Sequence, residues 1–208
     1  MTATNDPTTP SRYNKVAIAL HWLIGLALLG QIVFGFSLDD LAPRGTPGRS
    51  AVINLHKSFG VVLGLLIVAR LAWRLAHKPP ALPTSLPAWQ QKAAPLGHWA
   101  LYACMVVMPV SGYIASNFSK HGIKFFGIAA RPWGPDLPAV YGFFNGLHIA
   151  TAWIFTLLIV GHIAMAAKHG LIDRNGQPIG TVGVSENIIE ASWQALVEGL
   201  EYALTQST

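Results

Sequence analysis

Most of the first 170 residues fall into four long apolar stretches separated by polar segments rich in proline and glycine. The first, about Val16 to Leu38, carries no formal charge and is long enough to cross some 30 Å of hydrocarbon as a helix. The second, about Ala51 to Leu75, is uncharged from Ser58 to Ala69 and has Lys57 at one end and Arg70 and Arg74 at the other, where long basic side chains can snorkel to the interfaces. The third, about Ala93 to Asn117, contains Pro109 and Gly112, a pattern that predicts a kink. The fourth, Leu137 to Ala167, lacks Asp, Glu, Lys and Arg altogether.

These periods predict an all-α, integral membrane four-helix up-down bundle over residues 15–170. Residues 1–14, with two prolines and several threonines, read as a disordered leader. Lys78 to Pro87 reads as a stiff solvent loop. Phe118 to Asp136, with Phe125, Phe126 and Trp133 among Lys120, Lys124 and Arg131, reads as a loop lying on the membrane surface as a lid. The tail, 171–208, is expected to carry an amphipathic helix over 185–204, capped by Ser185 and bearing Glu190, Glu198 and Glu201. Its acidic face suits a protein partner or the bundle better than anionic lipid.

Composition agrees with the pattern: 52% of the 208 residues are hydrophobic and 11% charged, against about a quarter charged in soluble domains. The net charge of +5 comes from basic residues at the ends of apolar spans, so it reads as membrane anchoring and gives no nucleic-acid signature. Cys104 is the single cysteine, which excludes a disulfide framework and covalent haem attachment. An even number of spans puts both termini on one side. Eight basic residues on that side against six on the other point to cytoplasmic termini.

Histidines carry the chemistry. His148 and His162 stand fourteen residues apart on the fourth span, about 21 Å of helical rise and nearly the same face. In an up-down bundle His21, early in the first helix, lies at the depth of His162, and His56, early in the second, at the depth of His148. A lone membrane histidine is ordinarily hydrogen-bonded to a neighbouring helix; four at matched depths point to ligands. Two imidazoles from facing helices fill the axial positions of a planar haem iron, whereas tetrahedral zinc needs further ligands that are not found at these depths. The expectation is two non-covalent b haems, each held by two histidines. Gly25, Gly60 and Gly64, one or two turns from His21 and His56, either clear space for a flat cofactor or serve helix packing. Lys15, Arg70 and Arg74 near the inner pair, and Arg49 and Lys57 near the outer pair, are candidates for haem carboxylates or plain interfacial anchors. His98, at the inner start of the third span, is a candidate for a quinone or proton site.

Tyr13-Asn14-Lys15 ahead of Leu20-His21-Trp22-Leu23, His56-Lys57-Ser58-Phe59-Gly60, Arg70-Leu71-Ala72-Trp73-Arg74, Gly97-His98-Trp99, Pro109-Val110-Ser111-Gly112 and Leu147-His148 with His162 together resemble the bacterial cytochrome b561 family over roughly residues 13 to 170. The resemblance implies an inner-membrane cytochrome with haem ligands at His21, His56, His148 and His162, exchanging electrons with ubiquinone. It further implies superoxide oxidation at the periplasmic face, where outer loops of net charge +3 would attract an anionic radical. An electron-carrier subunit of a membrane dehydrogenase or hydrogenase is the alternative, with the acidic tail helix as its docking element. A transporter using the histidines for protons is a third reading. Lipid, ubiquinone, superoxide or a redox protein, and a second copy of the chain are the partners this reading admits.

Overall fold

The computed structural model describes residues 15–77 and 88–171. The expected leader, the proline-rich connector and the tail with its 185–204 helix lie outside the described residues. Four helices are long and apolar enough to cross a membrane: α1 (Lys15–Phe36), α3 (Arg49–Ala76), α4 (Ala88–Asn117) and α5 (Pro138–Leu171). Helix is the one open-chain solution in lipid, because each backbone N–H and C=O must be satisfied within the segment. Pro138 opens α5, where a missing N–H costs nothing. Pro95 and Pro109 lie inside α4, which runs on through both.

Close packing among the described helices follows chain order, α1 on α3, α3 on α4 and α4 on α5. One buried cluster ties all four together: Ile24 of α1, Ile67 of α3, Cys104 and Met105 of α4, and Phe155 of α5. Phe155 is 1% exposed and lies seven residues from His148 and seven from His162. Two heptad steps return close to the same stripe of a helix, so α5 presents His, Phe and His inward in succession. Phe155 therefore lies between two histidine levels, called outer at the end that bears the 118–136 segment and inner at the opposite end. Large apolar side chains such as Leu26, Val33, Leu65 and Leu157 point outward, as a lipid-facing surface requires.

Two features differ from the loops expected between spans. Leu38–Leu41 forms a single helical turn, α2, whose Asp39 accepts a 2.6 Å hydrogen bond from Arg49 at the start of α3. That bond holds the exposed Asp39 carboxyl below its usual value, so acid that protonates it releases the contact. The expected surface lid contains a β-hairpin, β1 (Ile123–Phe125) antiparallel to β2 (Ile128–Ala130). Its two-residue turn places Phe126 at φ 45° and Gly127 at φ 94°, the signature of a type I′ turn. Glycine suits this conformation; Phe126 tolerates it because its ring is held edge-on by Phe59 at 5.5 Å and Phe125 at 4.8 Å.

The hairpin is pinned to the beginning of α3 by the residues flanking His56. Lys57 Nζ donates to the Gly122 carbonyl at 2.8 Å, and Asn54 Oδ1 accepts from the Lys124 amide at 3.0 Å. Ser58, fully buried, accepts from the Phe126 amide at 2.9 Å and lies within donor range of the Asn54 and Lys124 carbonyls. Alternation and turn signals in 118–136 are too short to announce strands; the pairing depends on α3 supplying partners 65 to 70 residues away.

Ser58→Ala removes the acceptor of the Phe126 amide from a partly buried bond, at a cost of about 1 kcal/mol. We expect amide hydrogen exchange to accelerate across 123–130 while the spans stay protected.

Candidate haem sites

The structure brings the histidines of α5 against those of α1 and α3. The ring centres of His21 and His162 are 6.4 Å apart, and those of His56 and His148 are 6.3 Å apart. A direct hydrogen bond between two imidazoles would bring the centres to about 5 Å. A metal between them, with metal–nitrogen bonds of about 2 Å, holds the centres about 6 Å apart. Both pairs match the second spacing. Among the described residues no three His, Cys, Asp or Glu side chains group as a metal site, so a tetrahedral protein-only centre is not provided. Paired imidazoles alone are the ligand set of a six-coordinate haem.

At the outer pair the two rings are held differently. His148 Nδ1 donates to the Met108 carbonyl at 2.9 Å and lies 3.4 Å from Ser111 Oγ. That bond places the proton on Nδ1 and leaves the lone pair of Nε2 for a metal. The approach depends on Gly112, where a Cβ would fall 3.0 Å from the His148 ring. Its partner, His56, packs its Cε1 3.1 Å from where a Cβ of Gly35 would stand, and its buried Nδ1 has no hydrogen-bond partner. Gln31 of α1 reaches across to the His56 carbonyl at 2.7 Å and sets the spacing of α1 and α3 at this level.

The inner pair has a third histidine and two arginines around it. His98 lies 5.6 Å from His162, ring centre to ring centre. Arg70 donates to the Ala17 carbonyl at 3.3 Å and approaches His21 Nδ1 at 3.4 Å. Because a guanidinium can only donate, that contact makes Nδ1 the acceptor and puts the proton of His21 on Nε2. Ligation through Nε2 requires the opposite tautomer, which frees Arg70 from this contact. Arg74 sits over the Tyr102 ring at 5.0 Å. Lys15 stands exposed at the first residue of α1.

The structure bears on several alternatives that the sequence leaves open. Gly60 and Gly64 serve helix packing: a Cβ at Gly60 would meet Gln31 at 3.6 Å and one at Gly64 would meet Pro109 at 3.3 Å. Gly25, one turn from His21, does open free space, with nothing within 4 Å. Arg49 and Lys57 are engaged with Asp39, the Ala42 carbonyl and the Gly122 carbonyl, so they fasten loops at the outer face. The glycines that touch histidine rings, Gly35 and Gly112, had no spacing relation to His56 or His148 in the sequence, because each lies on a different helix from the ring it admits.

A membrane bundle of four helices with two stacked imidazole pairs defines a class: a membrane-embedded electron carrier built to hold b-type haem. The profile of the prokaryotic cytochrome b561 proteins matches residues 12–178, and the chain belongs to that family, whose members bind b-type haem and transfer electrons in bacterial membranes. It is 34% identical over 168 residues to "Cytochrome b561 homolog 2" of Escherichia coli, covering 80% of this chain and 89% of that one. "Cytochrome b561 homolog 1" of the same organism is 26% identical over 165 residues, 79% of this chain and 93% of the other. "Probable superoxide oxidase CybB" of Yersinia pestis is 28% identical over 102 residues, 49% of this chain and 56% of that protein.

Gly112→Ala should displace the His148 ring and lower the haem-to-protein ratio in the purified protein, whereas Gly30→Ala, at an exposed position with nothing within 4 Å, should leave it unchanged. Haem quantitation as the pyridine complex reads both.

Proposed function

We propose that the chain carries electrons across the bacterial inner membrane between a periplasmic donor and ubiquinone, with both termini cytoplasmic. The observation that carries this reading is the pair of ring separations, 6.3 and 6.4 Å, at two levels of one helix. Two b haems, one ligated by His56 and His148 and the other by His21 and His162, would supply one-electron chemistry at the outer and inner levels.

The chain's own residues give the reaction its direction. Lys120, His121, Lys124 and Arg131 line a shallow cleft of about 360 Å³ on the outer face, a basic surface that attracts an anion such as superoxide from solution. Superoxide is the donor in this reading: two radicals give up one electron each and leave as oxygen. Ubiquinone takes up those two electrons and two protons. His98 and Lys15, on the inner side, are assigned to hold its carbonyl oxygens and pass the protons. His98 stands beside His162, close enough to couple proton delivery to the inner level.

A second reading, a cytochrome subunit that receives electrons from a dehydrogenase or hydrogenase, is favoured by one observation. The similarity to the probable superoxide oxidase covers 49% of this chain, while relatives matched over four-fifths of it carry only the family name. Co-purification of a large redox partner would select it.

His148→Ala and His162→Ala should each remove one haem and leave the other; two normally ligated haems in either variant would refute the ligand assignment. Reversal of Lys120, Lys124 and Arg131 to Glu should slow reduction by superoxide and flatten its salt dependence with an unchanged spectrum. His98→Ala should leave that reduction intact and slow reoxidation by ubiquinone; reoxidation at the normal rate would move the quinone site elsewhere.

A further inference from the structure

Near its inner end α3 places three donors on one face: Arg70, Trp73 and Arg74, at i, i+3 and i+4. The Trp73 indole N–H is buried and has no hydrogen-bond partner among the described residues. Its ring is not loose. His77 stacks on it at 4.0 Å and 13°, and His77 Nδ1 lies 3.1 Å from the Trp73 carbonyl, so the indole is fixed as a plate at the end of the helix. A buried, immobilised N–H left without an acceptor is rare in native structures, and each one asks for an explanation.

The two guanidiniums describe the missing acceptor. Among the described residues the only ion pairs are those of Arg44 and Arg49 with Asp39. Among those residues Arg70 meets a carbonyl and the His21 ring, and Arg74 the Tyr102 ring. The donors of two arginines and the indole thus share one turn of helix with no anion among the described residues to receive them. A neutral quinone carbonyl would answer the indole but would leave the two positive charges unanswered. A carboxylate answers all three.

We propose that the Trp73 indole N–H donates a hydrogen bond to a propionate carboxylate of the haem held by His21 and His162, with Arg70 and Arg74 neutralising its charge. This rests on the two-haem reading above. The tautomer change at His21 supports it: ligation through Nε2 puts a proton on Nδ1, which expels Arg70 from that nitrogen and leaves the guanidinium to turn to the anion. The sequence hides this role because a tryptophan at a membrane interface is ordinarily an amphipathic anchor.

The test uses the full-length, haem-loaded protein in detergent and the variant Trp73→Phe, which keeps a ring for His77 to stack on and removes only the N–H. Haem is quantified first, then its transfer to excess apomyoglobin is timed and the propionate bending bands are recorded by resonance Raman. Two haems in both proteins, one of them released about tenfold faster from the variant, as loss of one charge-assisted hydrogen bond predicts, with one shifted propionate band, support the proposal. Unchanged release and unchanged bands overturn it, as does a change confined to reoxidation by ubiquinone, which would assign the indole to a quinone oxygen. Fewer than two haems in the unaltered protein overturns both this proposal and the reading beneath it. A second arm does not depend on the variant folding. The unaltered chain reconstituted with haem dimethyl ester, which has no propionate anions, should release it at least as fast as Trp73→Phe releases haem; retention as tight as native haem overturns the proposal.

Discussion

An imidazole inside a membrane must be given a partner, and α5 carries two on one stripe with no charged residue anywhere between Leu137 and Ala167. Everything else in the bundle answers that demand. α1 brings His21 to the inner imidazole and α3 brings His56 to the outer one, while Phe155, midway between, closes the interior with Ile24 and Ile67. The plug is as necessary as the paired histidines, because it holds the helix axes at a spacing that leaves room at each level and none between them. A protein interior is close-packed, so a ring separation of about 6 Å kept at two levels by four helices is a built gap.

The two levels are secured by different means. Outside, the backbone carries the contacts: Gly112 leaves the room in which the Met108 carbonyl receives His148, and the hairpin is riveted to the residues on either side of His56. The outer level is thus walled by hydrogen bonds that reach from α3 to a segment far along the chain. Inside, long side chains take over, with Arg70, Arg74, Trp73 and His98 around His21 and His162. Side chains can turn where backbone cannot, so the inner level is the more adjustable of the two.

Much of this was legible from residue order alone. The spans, their order and the depth pairing of the histidines follow from a count of residues per turn, since a helix in lipid has little freedom to depart from its geometry. The family resemblance rested on short motifs clustered around those same histidines. What the sequence could not display were contacts between residues of unrelated periodicity. Gly35 meets His56 and Gly112 meets His148 because two helices cross there, and crossing positions depend on packing angles. Gly60 and Gly64 follow His56 at helical spacing, which left cofactor room and helix packing both open; their faces turn toward Gln31 and Pro109. The hairpin was missed for a related reason: three-residue strands carry almost no period, and their stability comes from Asn54, Lys57 and Ser58.

The difference between His148 and His56 bears on how such a bundle can hold a cofactor and still work on it. His148 is fixed in tautomer and angle by the Met108 carbonyl, and an imidazole that donates through Nδ1 is the more basic ligand. His56 lacks that acceptor, so its ring is set mainly by Gly35, Phe34 and the helix that bears it. If both were to ligate one haem iron, the unequal pair would give one stronger and one weaker bond, and ligand strength is a lever by which a protein sets a haem's potential. The anchored imidazole sits on α5, which spans both levels; the unanchored one sits on α3, beside the hairpin and the basic 120–131 surface. An adjustment at that surface therefore reaches the outer level through Lys57 and Ser58, the two residues next to His56, without disturbing the helix on which both pairs depend.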